Sequence, residues 1–193
     1  MPEGSRVVLC RPALWVPEHT ISVEETLELN GTTNYLREIR RALPGVVEEA
    51  LGSAALGASE IDAIVFVSPA ASTMTPITAW MINILGFRGD VRQIPITPPG
   101  GGAAAVRRAY DICVASPGSN VLVVMCELGS LSRPSTAVDV ETLLADTLPG
   151  DTIAAAVVRG PGGDGMTLRP DPASVMPGLV ARRPDEPGAF EDL

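Results

Sequence analysis

Histidine is nearly missing from this 193-residue sequence, which carries only His19. Without a partner histidine no Cys/His metal site can be assembled convincingly, so no metal is expected. His19 follows Pro17-Glu18 in a turn-like stretch, which favours a surface or turn role over catalysis. Cysteine is scarce as well. Cys10, Cys113 and Cys126 are odd in number and widely spaced, which argues for reduced thiols in a cytoplasm over a disulfide framework. The net charge is −9, and no basic block longer than the pairs Arg40-Arg41, Arg107-Arg108 and Arg182-Arg183 interrupts it, so nucleic acid is not an expected partner. There is also no charged N-terminal region leading into an apolar run, and no window of roughly 18 uninterrupted apolar residues. The expectation is a cytoplasmic protein that does not enter a membrane. Internal repeats and low-complexity tracts are absent.

What is present is apolar material, 46% of the chain, enough for one substantial core in one domain. Residues 6–16, rich in Val and Leu, read as a strand ended by Pro17. Ser22 and Glu25 form a capping-box pattern before a short helix that Gly31 stops. Leu36, Ile39, Leu43, Val46, Val47, Leu51 and Ala54 recur at three and four, predicting a helix over 35–56 with a kink or break at Pro44. The run 61–67 is apolar and β-branched, as in a strand covered on both faces. Thr75-Pro76 opens another helix, to Gly86. After Ile94-Pro95-Ile96, the cluster Pro98 to Gly102 leads into a helix over 103–115, with Ala103, Val106, Tyr110 and Cys113 as its apolar stripe and Arg107 paired with Asp111 on the other face. A buried strand over 121–126, a short helix over 142–148 and a strand over 153–158 follow. One more strand is expected from Met166, and residues 182–193 read as a loose tail. Strand and helix alternate, so the class is α/β.

These residues carry a resemblance. Cys10-Arg11-Pro12, Val16 to His19, Glu24 to Leu29, Ile61-Asp62 through Ser68, Met74-Thr75-Pro76, Ala79 to Asn83, Gly86-Phe87-Arg88, Arg92 to Ile96, Arg108 to Asp111, Cys126-Glu127, Ser130-Leu131 and Gly150-Asp151 through Gly160 resemble the bacterial type III polyketide synthases, within the chalcone and stilbene synthase superfamily and nearest its tetrahydroxynaphthalene synthase branch. The resemblance implies half of a thiolase-type fold: a mixed sheet with helices on both faces, with residues 1–165 as the N-terminal-like domain and 166–193 as a last strand and loose acidic tail. Members of the family dimerise and load an acyl group from coenzyme A onto a cysteine at the start of a buried helix; a histidine and an asparagine of the second half polarise the thioester.

Against that pattern this sequence departs in four ways. No cysteine stands before the helix start, where Pro98-Pro99-Gly100-Gly101-Gly102-Ala103 replaces it, and neither Gly nor Pro offers a nucleophilic atom. A segment with basic coenzyme A-binding residues is missing between Asn30 and Leu36. The second half, with its histidine and asparagine, is expected to be absent. Pro149 holds the place of an aromatic gatekeeper. Cys10, Cys113 and Cys126 read as core, and Glu127 and Asp151 as a strand-end anchor and a turn residue. Met74 corresponds to a residue that reaches into the neighbouring subunit's cavity, or is ordinary packing. The strand over 121–126 corresponds to one paired across a dimer twofold, which makes Val121, Val123 and Met125 interface residues.

The expected function is therefore a partner protein of aromatic polyketide or related specialised metabolism, unable to run thiol-based condensation and needing no cofactor. It would act as a homodimer, as a heteromer with a full-length synthase or another biosynthetic enzyme, or by binding a small polyketide-like ligand. The alternative is a repurposed enzyme performing cysteine-independent cyclisation, aldol-type closure or hydrolysis. Its candidate groups are the amides of Gly100, Gly101 and Gly102, with Ser68, Thr97 and Tyr110 nearby in the family layout; a permissive loop is the competing reading of the glycines.

Overall fold

Apolar runs too short for helices and too continuous for one-sided strands pack at the centre of the molecule. In a computed structural model, residues 6–18, 32–68, 71–97, 101–129, 150–161 and 164–168 are described, 32–34 and 71–76 by backbone alone. The strands are β1 (Val7–Leu9), β2 (Ala13–Trp15), β3 (Ala63–Val67), β4 (Arg92–Ile96), β5 (Asn120–Glu127), β6 (Thr152–Arg159) and β7 (Met166–Leu168). The helices are α1 (Thr32–Ser53), α2 (Ala71–Leu85) and α3 (Gly101–Ala115). All seven strands join one mixed sheet in the order β4-β3-β5-β6-β1-β7, with β2 also on β6.

β4 and β5 flank β3 in parallel, and β6 runs antiparallel to β5. All five residues of β3 are buried, as the β-branched run predicts for a strand covered on both sides. One face carries α1 and α2 over Ile64, Phe66, Leu122, Val124 and Val157. The other carries α3 over Val65, Val67, Val121, Val123 and Val158. Each such Val, Leu or Phe contributes about 1.5–3 kcal/mol by leaving water, so the sheet is where the fold is anchored.

The predicted strand over 6–16 is two pieces, β1 and β2, both antiparallel to β6 and separated by Cys10-Arg11-Pro12. Pro12 has no N–H to offer the ladder, although Cys10 N still donates to Val157 O at 2.8 Å. α1 does not break at Pro44: it is continuous from Thr32 to Ser53, because Ile39, Leu43, Val46, Val47 and Ala50 all stay buried on one face across the proline. α2 begins four residues before the predicted Thr75, at Ala71, and Gly86 (φ +76°) closes it in the left-handed conformation.

Two further expectations are corrected. Of the predicted α3 stripe, Cys113 is buried and Tyr110 packs against the core, but Ala103 is exposed and Val106 half-buried; Gly101, Ala105, Ala109 and Ile112 make up the rest of the buried side. The helix has apolar residues on two faces, and periodicity alone could not choose between them. β5 offers no free edge for pairing across a twofold, since β3 and β6 bond it on both sides. Val121 and Val123 accordingly lie under α3. The predicted helices starting at Ser22 and Thr142, and the tail, lie outside the described residues.

Candidate functional site

β3, β4 and β5 end at the same edge of the sheet, and α3 starts there. In open α/β sheets this carboxyl edge is where ligands usually bind. Gly101 is buried against Val67, and a Cβ added to it would stand 2.6 Å from Val67 Cγ1. β-branched Val67 has little rotameric freedom to yield, so the close helix–strand contact holds this position as glycine. A Cβ on Gly102 would meet Met125 Sδ at 3.4 Å, ordinary contact with a flexible neighbour. No acidic residue occupies the first turn of α3.

On the opposite face of the same edge, Ser68 is fully buried beneath α1, with its Oγ 2.6 Å from the Tyr35 hydroxyl. Tyr35 donates to Cys126 O at 3.1 Å, so the Ser68 hydroxyl is the donor to the phenol oxygen. Burial holds the Tyr35 phenol well above its ordinary pKa, the hydrogen bond from Ser68 opposing that only in part. Tyr35 is thus a neutral hydrogen-bonding pin between α1 and the ends of β3 and β5. In the sequence Tyr35 is marked only as the first residue of the helix predicted over 35–56. Its signal was a hydroxyl on the apolar face of α1.

The other candidates do not converge with this pair. Thr97 is exposed. Tyr110 lies nine residues along α3 from Gly101, about 13 Å at the rise of an α-helix. Ser68 faces α1 while Gly101 and Gly102 face Val67 and Met125, so the sheet separates them. Met74 lies on the backbone of α2, and its side chain, Gly100, Pro149 and His19 fall outside the described residues. The thiols are no better placed for chemistry. Burial raises all three: Cys113 is pushed up to about 11, and Cys10 and Cys126 also rise. Cys113 donates to Val158 O at 3.5 Å and to Ser119 O at 3.6 Å. Among the described residues no cluster of His, Cys, Asp and Glu could hold a metal ion, and no helix is long and apolar enough to cross a membrane.

Residues 17–162 match the N-terminal domain of chalcone and stilbene synthases. The chain belongs to that family. It is 38% identical to the 1,3,6,8-tetrahydroxynaphthalene synthase of Streptomyces griseus over 213 residues, covering 88% of this chain and 57% of that enzyme. The crystal structure of 1,3,6,8-tetrahydroxynaphthalene synthase from Streptomyces coelicolor A3(2), a bacterial type III polyketide synthase, superposes with a TM-score of 0.70 at 38% identity, covering 82% of this chain and 58% of that one. Germicidin synthase of Streptomyces coelicolor shares the fold, with a TM-score of 0.61 at 21% identity. This member of the chalcone and stilbene synthase family therefore spans less than three-fifths of the length of these relatives, with the mixed sheet and two helical layers of their thiolase-like fold. An alignment longer than the chain itself means that the Streptomyces griseus enzyme has internal residues this family member lacks.

Proposed function

We propose that this chain is a non-condensing member of the chalcone and stilbene synthase family, acting in the cytoplasm as an association partner in aromatic polyketide or related specialised metabolism. The observation that carries the reading is the start of α3, where Gly101 and Gly102 stand at the carboxyl edge of the sheet and no described thiol reaches them. A condensing enzyme of the kind resembled needs a thiolate there, because a helix N-terminus lowers a thiol pKa and a glycine has nothing to ionise. The three cysteines present are buried and held protonated. A homodimer, a complex with a full-length synthase or another biosynthetic enzyme, or a complex with a polyketide-like ligand are the forms such a partner would take. The cysteine-independent enzyme is less well supported, since Ser68, Thr97 and Tyr110 do not gather around the α3 amides.

The test is intact mass spectrometry of the pure chain after incubation with malonyl-coenzyme A. The unmodified mass is expected. A covalent acyl adduct overturns the reading.

A further inference from the structure

We draw no further inference here: the strongest candidate, the exposed ridge of Arg37, Arg40 and Arg41 along α1, carries nothing, because Glu38 and the rings of Trp15 and Trp80 already engage its guanidiniums and nothing in the structure shows what covers it.

Discussion

Tyr35 joins three elements through one hydroxyl. It sits 1% exposed at the start of α1, donates to the carbonyl at the end of β5 and accepts from Ser68 just beyond β3. Removing that oxygen removes the buried hydrogen bonds to Ser68 and to the Cys126 carbonyl, each worth about 0.5–1.5 kcal/mol. Tyr35→Phe is therefore expected to lower the unfolding free energy by about 2 kcal/mol in urea, with the m-value unchanged. A smaller loss than that of an exposed control such as Thr97→Ala would show that the pin is not structural. The basic residues follow a related logic. All 14 are arginine, and two of them place a guanidinium over the molecule's two tryptophans, Arg40 over Trp80 at 5.8 Å and Arg41 over Trp15 at 5.3 Å. A planar cation stacks where an ammonium would not, so these arginines cover apolar rings as well as carry charge.

Among the elements, α1 shows how a long buried face overrides a local breaker. Pro44 removes one intrahelical hydrogen bond, yet nine residues of the helix are buried in the core or packed against it. The end of α1 is less well matched to its sequence. Ala55 has φ +52°, a left-handed conformation that costs an L-residue about 1 kcal/mol and glycine nothing. Leu56 N bonds back to Leu51 O at 3.0 Å and Ala55 N to Gly52 O at 3.1 Å, the usual closure of a helix whose stop residue is glycine. Ala55→Gly is accordingly expected to raise the thermal midpoint by a few degrees, about 1 kcal/mol, as read by differential scanning calorimetry. An unchanged or lower midpoint would mean that the added freedom of the unfolded chain cancels the relief of strain.

At the scale of the whole molecule, burial sets how stability responds to alkali. Cys10, Cys113, Cys126 and the Tyr35 phenol all have raised pKa values because the fold takes their charged forms out of water. An unfolded thiol ionises near 9.0, whereas Cys113 in the native state waits until about 11. Over that window the unfolded chain releases protons that the folded chain retains, so unfolding is favoured as pH rises. Stability should be independent of these groups below pH 9.0 and should fall from there towards about 11. Urea denaturation at steps across the window checks this. A Cys113→Ser variant, whose hydroxyl does not titrate there, should lose less on going alkaline, and an equal loss would assign the effect to other groups.

The sequence by itself determined the elements whose residues allow one reading. Val65, Phe66 and Val67, or Val121 to Val124, are apolar on consecutive positions, and only a strand sandwiched between layers buries both sides at once. The same is true of the family, which residues spread from Cys10 to Gly160 make legible. What the sequence could not decide were matters of facing and adjacency. α3 has two apolar stripes, and only docking on Val67, Val123 and Val158 selected the one through Ala105 and Ala109. Ser68 and Gly101 both belong to one edge of the sheet, yet alternation along β3 sends Ser68 to Tyr35 on one side and Val67 to Gly101 on the other. Residue order carries local preference, but which side of a sheet a group reaches, and which strand lies beside it, is settled only when distant segments such as β5 and β6 are brought into register.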